Sequence, residues 1–174
     1  MAVKVVSFNF RKALEAIVYI ATKAPSATMH STSKILYFAD KAHLRQYGRL
    51  ICGDEYVAMR NGPVPSSIYD IFKIAGGRKS FDESRQQLIL SAFSIKNEYE
   101  IKPLRETNAD YLSASEIECI DSAINEYGGF SFDALSNISH DAAWESADRN
   151  NVMSLESIVK TLPNSEEVLE HISS

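Results

Sequence analysis

The sequence predicts a helix-dominated α+β fold, a single domain over residues 1–174 in which helices pack around a small antiparallel sheet of about three strands. Three observations point there. Apolar residues recur at helical spacing in two separated stretches: Phe10, Ala13, Leu14, Ile17, Val18 and Ala21, then Ile117, Ile120 and Ile124. Between them, around Tyr56 and around Lys96-Asn97, β-forming residues stand beside turn residues. A chain of 174 residues with 45% hydrophobic content also buries a core without disulfide or metal staples.

The elements follow in order. The first helix, over residues 10–21, is amphipathic, with Tyr19 and Ile20 adding burial on a second side, and Pro25 ends it. After a polar loop, Thr32 or Ser31 is placed to cap a second helix that runs to Gly48, a residue suited to a left-handed stop. Tyr56, Val57 and Ala58 predict a short strand, and Asn61-Gly62-Pro63 a turn that closes it. Ser66 is a cap for a helix over 67–75, which Gly76-Gly77 terminates. Residues 88–95 and 99–101 flank Lys96-Asn97 as the two arms of a hairpin. Ser113-Ala114-Ser115-Glu116 is a capping box that opens a helix to Tyr127, stopped by Gly128-Gly129. Shorter helices are expected over 131–137, 142–147, 154–161 and 165–172, with Pro163 between the last two.

The net charge of −5 is unevenly spread. Residues 109–174 carry thirteen acids against only Arg149 and Lys160, a surface that repels a phosphate backbone. Those acids read either as solvated helix faces or as a field that steers a basic partner. Cys52 and Cys119 lack any metal or redox spacing and read as reduced, buried thiols of an intracellular protein. The apolar run over 16–21 is too short to span a bilayer and too amphipathic for a signal peptide, so a cytoplasmic protein is expected.

Few residues suggest chemistry. Asp40, His43 and Tyr47, at i, i+3 and i+7, project from one side of a helix with Cys52 shortly after, which would suit a Cys–His nucleophile oriented by a carboxylate. No oxyanion hole accompanies them, and the simpler reading makes Asp40 and His43 hydrogen-bonded anchors between helix and sheet. Asp40, His43, His30 and His140 show no tight ligand spacing, so neither a metal nor another cofactor is expected. Gly76-Gly77-Arg78-Lys79-Ser80 follows a helix and lacks phosphate-loop spacing. Lys34, Lys41 and Arg45 share a helix face and read as a solvated stripe, with no direct nucleic-acid binding expected. By contrast Tyr56, Met59 and Arg60, types enriched at interfaces, stand beside a turn stiffened by Pro63 and Pro65. Were that strand at a sheet edge, a partner could also pair with it.

The run over residues 37–65 carries more information than any of these features. It contains Tyr37-Phe38-Ala39-Asp40, His43-Leu44, Tyr47-Gly48-Arg49, Gly53-Asp54, Tyr56, Ala58 and Gly62-Pro63-Val64-Pro65, followed by Tyr69 on a helix. In this order and without gaps the segment resembles the signature of the Panacea antitoxin domain family, which includes SocA-like and phage-associated proteins. The likeness continues more loosely through Leu112-Ser113 and the turn from Ser139-His140 to Trp144. The resemblance implies a non-enzymatic antitoxin that neutralises a co-encoded toxin by direct binding, in a toxin–antitoxin or phage-defence system. The alternatives are a SocA-like adaptor that delivers the toxin to a protease and, less favoured, a small hydrolase built on Cys52 and His43. The implied partner is a cognate protein toxin, with no membrane involved and with room for a homo-oligomer inside the toxin complex. Tyr56, Met59, Arg60 and Tyr69 are the expected toxin-binding residues. Asp40, His43, Tyr47, Gly53, Asp54, Gly62, Pro63 and Pro65 are the expected structural signature.

Overall fold

Thr28, rather than Ser31 or Thr32, starts the longest helix. Its hydroxyl accepts from the Ser31 N–H at 3.0 Å, and the Ser31 hydroxyl accepts from the Thr28 N–H at 2.9 Å. The expected cap sat too far along because a reciprocal box needs its partner three residues on, and only Thr28 has one. The computed structural model describes residues 7–174, so the first six residues of the expected domain lie outside the described residues. Helix α1 (Phe10–Lys23) is capped by Asn9 and buries Leu14, Ile17, Val18 and Ile20. Helix α2 (Met29–Tyr47) ends at Gly48, whose φ of 74° is the left-handed stop expected there.

Strands β1 (Tyr56–Met59) and β2 (Gly62–Pro65) form an antiparallel hairpin with Met59 opposite Gly62 and Val57 opposite Val64. The turn is Arg60-Asn61, one residue earlier than the sequence suggests, and the strand runs through both prolines. Pro63 and Pro65 are tolerated because they oppose Ala58 and Tyr56, which direct their backbone groups away from β2. Ala58 instead donates to the Asn151 carbonyl at 2.9 Å and accepts from the Asn150 N–H at 2.8 Å. A strap over residues 150–153 thus covers the outer side of β1, which is not a free edge.

Helix α3 (Ser66–Ala75) has no side-chain cap of its own and stops at Gly76 and Gly77. The first arm of the second expected hairpin is mostly helical: α4 runs Glu83–Ala92, and β3 (Phe93–Lys96) pairs with β4 (Glu100–Pro103). Asp82 accounts for the difference, since its carboxylate accepts from the Arg85 N–H at 3.0 Å and nucleates a helix. The buried pair Ile89 and Ala92 has helical rather than alternating spacing. Asn97 and Glu98, both at positive φ, make the tight turn.

Helix α5 (Ala114–Tyr127) opens with the expected capping box between Ser113 and Glu116. Helices α6 (Phe132–Ser139), α7 (Ala142–Ser146), α8 (Leu155–Val159) and α9 (Ser165–Ser173) follow. The α+β class dominated by helix is observed, at 58% helix, with the strands in two separate hairpins rather than one sheet. No helix of the described residues is long and apolar enough to cross a membrane.

Two apolar clusters hold these elements. The larger joins α1, α2, α3, α4 and α5 through residues such as Ile17, Leu36, Phe72, Ile89 and Ile120. The smaller joins the end of α2 and β1 to α8 and α9 through Leu44, Tyr56, Met153, Val159 and Ile172. Phe38 of α2 packs against both. Each large side chain buried in this way contributes about 1.5–3 kcal/mol.

Candidate functional site

The turn over residues 48–55 is where α1, α2, α3, α5 and β1 meet, and polar groups hold it. Asp40 projects from α2 with only 4% of its surface exposed. Its two oxygens accept from the Ile51 N–H at 2.7 Å and from the Tyr56 hydroxyl at 2.6 Å. Burial raises the Asp40 pKa and these two donors partly offset it, leaving about 6. One turn further along, the buried His43 ring meets the Arg49 carbonyl at 2.9 Å through Nδ1 and the Ser115 hydroxyl at 2.9 Å through Nε2. Burial lowers its pKa. Tyr47 is exposed, with its ring 4.8 Å from that of His43.

Gly53, at a φ of 73°, turns the chain so that Asp54 reaches the start of α3. The Asp54 carboxylate accepts from the Glu55, Ser67 and Ile68 N–H groups at 2.8, 3.0 and 2.9 Å. It does from a distance what Ser66 was expected to do locally, and it places negative charge at the positive end of the helix dipole. Burial nevertheless keeps its pKa above the ordinary carboxylate value.

Glu116 is fully buried and was legible in the sequence only as half of a capping box. It accepts from Lys12 Nζ at 2.7 Å, Arg49 Nη1 at 2.7 Å and the Ser113 N–H at 2.8 Å, fastening α1 and the turn to α5. Glu15, also fully buried, makes a two-pronged ion pair with Arg105 at 2.7 and 2.6 Å. A carboxylate inside the apolar run of α1 was the available signal for it.

The hairpin emerges from this framework. Tyr56 is 2% exposed and packs edge-on against Tyr37 with ring centroids 5.0 Å apart. It therefore stands behind the surface rather than on it, because its hydroxyl is spent on Asp40. Met59 is half-buried, and its carbonyl accepts from Trp144 Nε1 at 2.8 Å. Trp144 is sandwiched between the His140 ring, 3.7 Å away, and the Arg149 guanidinium, 3.6 Å from its ring centre. Arg60 and Asn61, at the tip, are exposed. Tyr69 stands outside this cluster, half-buried on α3 with Lys73 Nζ 4.8 Å above its ring. Gly62 has a φ of 117°, and a Cβ there would collide with the Ser139 hydroxyl and lie 2.6 Å from Lys34 Cε.

Lys34 departs most from expectation. It is 1% exposed, not on a solvated stripe with Lys41 and Arg45; Lys41 itself pairs with Asp141 at 2.9 Å. The Lys34 Nζ donates to the Pro63 carbonyl at 3.0 Å and joins no ion pair among the described residues. Its charge bears on His30, from its own helix, and on His140, from the α6–α7 connection, and adds to the burial that lowers the pKa of each. Burial lowers its pKa from 10.5 to about 7, so the fold favours the neutral amine. The associated stability is fully present above pH 10.5 and is lost as the pH falls toward 7. Urea unfolding at steps from pH 7 to 10 should show the parent gaining stability relative to Lys34→Met as the pH rises. Parallel profiles would mean that Lys34 is charged in the folded chain.

The Cys52–His43 pair that the sequence allowed is not formed. Cys52 is buried, burial pushes its thiol pKa well above the ordinary value, and both His43 nitrogens are engaged elsewhere.

A family model described as antitoxin SocA-like, Panacea domain matches residues 33–145, more than half of the chain. The match takes in α2 from residue 33 onward, the turn, both hairpins, α5 and Trp144, and stops before the strap over 150–153. No curated protein matches the chain, and no solved structure does.

Proposed function

Because the chain belongs to the antitoxin SocA-like, Panacea domain family, we propose that it is a cytoplasmic, non-enzymatic antitoxin, one domain that neutralises a protein toxin by binding it directly. The observation that carries this reading is the contrast within the family segment between a deeply buried polar framework and an exposed hairpin tip. Asp40, His43, Asp54 and Glu116 spend their hydrogen-bonding capacity inside the protein, which supports a role in positioning rather than turnover. Met59 and Arg60 at the tip, with Tyr69 on α3, are the contacts we assign to the toxin, and Tyr56 supports them from behind. A hairpin fixed by Trp144, by its prolines and by the strap loses little conformational freedom on binding.

The acidic C-terminal part suits encounter with a basic partner. Asp141 is already committed to Tyr37, Lys41 and the start of α7, so Asp133, Glu145 and Asp148 are the residues available for steering. The test is to co-express the chain with the product of the adjacent reading frame, purify the complex and measure its kinetics. Truncating an anchor at an interface centre costs about 2 kcal/mol, so Arg60→Ala should raise the dissociation rate roughly thirtyfold with an unchanged melting temperature. Neutralising Asp133, Glu145 and Asp148 together should slow association at low salt and have little effect at high salt. An Arg60→Ala variant that melts and dissociates like the parent would place the interface elsewhere.

A further inference from the structure

The ribbon has an open side that the hairpin does not use. Residues 151 and 153 face β1: the Asn151 carbonyl accepts from Ala58, the Met153 N–H donates to the Tyr56 carbonyl at 2.7 Å, and Val152 lies opposite Val57. Backbone groups of successive residues in an antiparallel ladder point to alternate sides. The N–H and C=O of Val152 therefore point away from β1, and neither has a hydrogen-bond partner among the described residues. Val152 is 53% exposed. Beside it opens a cleft of about 450 Å³ between the 48–56 turn and the C-terminal helices, lined by Leu44, Leu50, Met153, Leu155 and Ile158. Glu55, exposed and in no ion pair among the described residues, stands on the same lining.

We propose that the Val152 edge and this cleft form a docking site for an extended segment of the toxin. The segment's backbone exchanges hydrogen bonds with Val152, while a neighbouring aliphatic side chain fills the cleft and a basic residue faces Glu55. Two independent features select that occupant. The outward backbone pair requires a strand-like ligand, because one strand edge is recognised by another. The aliphatic lining requires an apolar side chain beside it. The site lies on the opposite side of β1 from β2, and half of its lining, Val152 included, is beyond the residues the family model matches. In naming the toxin as the source of the segment, the inference rests on the antitoxin reading.

The probe is an acetylated and amidated Lys-Val-Lys-Leu-Lys peptide titrated into the isotopically labelled full chain and followed by NMR. The expected result is a set of shift changes centred on residues 151–155, with slower exchange of the Val152 amide. Val152→Lys should weaken binding of this basic peptide tenfold or more, because a like charge then stands beside its lysines, without changing the melting temperature, because the residue is exposed. A peptide N-methylated at its central residues should bind at least tenfold more weakly, since it lacks the paired N–H. No shifts at millimolar peptide, equal binding of the N-methylated peptide, or sedimentation showing the edge paired with a second copy would each overturn the site. If the adjacent-frame product binds parent and Val152→Lys chains equally and the peptide does not dock, the site is wrong and the antitoxin reading stands. If the peptide docks at Val152 but that product neither binds nor is neutralised, the site stands and the antitoxin reading falls.

Discussion

Asp40→Ala should lower the melting temperature by roughly 10 °C. The substitution strips the acceptor from two donors at once, the Ile51 N–H and the Tyr56 hydroxyl, both in buried surroundings. An unmatched buried donor costs about 1–3 kcal/mol, and a chain of this size loses roughly 2–4 °C per kcal/mol. Asp40→Asn should fall between Ala and the parent, because its amide oxygen can serve one donor while its NH₂ opposes the other. Combining Asp40→Ala with Tyr56→Phe should cost less than the two changes added together, with a coupling of about 1 kcal/mol. Thermal unfolding of the parent, the Asp40→Ala, Asp40→Asn and Tyr56→Phe variants and the double variant checks this. A strictly additive result would mean that Asp40 and Tyr56 act independently.

Glu116→Gln should remove much of the protein's sensitivity to acid below pH 4.5. Burial by itself raises the Glu116 pKa, but Lys12, the Ser113 N–H and Arg49 more than compensate and bring it from 4.5 to about 2. Since the folded value lies below the unfolded one, the associated stability is complete above pH 4.5 and disappears as the pH falls toward 2. Glu15, lowered in the same direction by Arg105 and the Asn108 N–H against the effect of burial, adds to the same limb. Near neutral pH, breaking this buried cluster should cost about 3 kcal/mol, moderated because Lys12 and Arg49 can turn back to water. Denaturant unfolding between pH 2.5 and 4.5 should show a steep parent profile and a shallower one for Glu116→Gln. Equal slopes would show that Glu116 is not held ionised by its partners.

The helices were readable where a short-range rule decides them. The Ser113–Glu116 box, the Gly48 stop and the apolar period of α1 are local, and each stands where the sequence puts it. Residues 88–92 are helical where the sequence predicts a strand arm, because a short apolar run fits either element and the deciding group, Asp82, lies six residues upstream. The same distinction governs the site. Asp40 and His43 could be read as anchors because both project from one helix face. Their partners, Ile51, Tyr56, Arg49 and Ser115, are set by tertiary folding. Lys34 misled because amphipathic spacing says which face a residue occupies, but not that a hairpin and α6 will close over it. Trp144 stands 85 residues from the carbonyl it caps, a separation over which no spacing rule applies.

The central claim is neutralisation by binding, and one measurement addresses it directly: growth of cells expressing the adjacent-frame product, with and without this chain, while that product is quantified. Restored growth with the product undiminished and co-purifying with the chain is the predicted result. Continued growth arrest would contradict the claim, and restored growth accompanied by loss of the product would identify the chain as an adaptor for proteolysis instead.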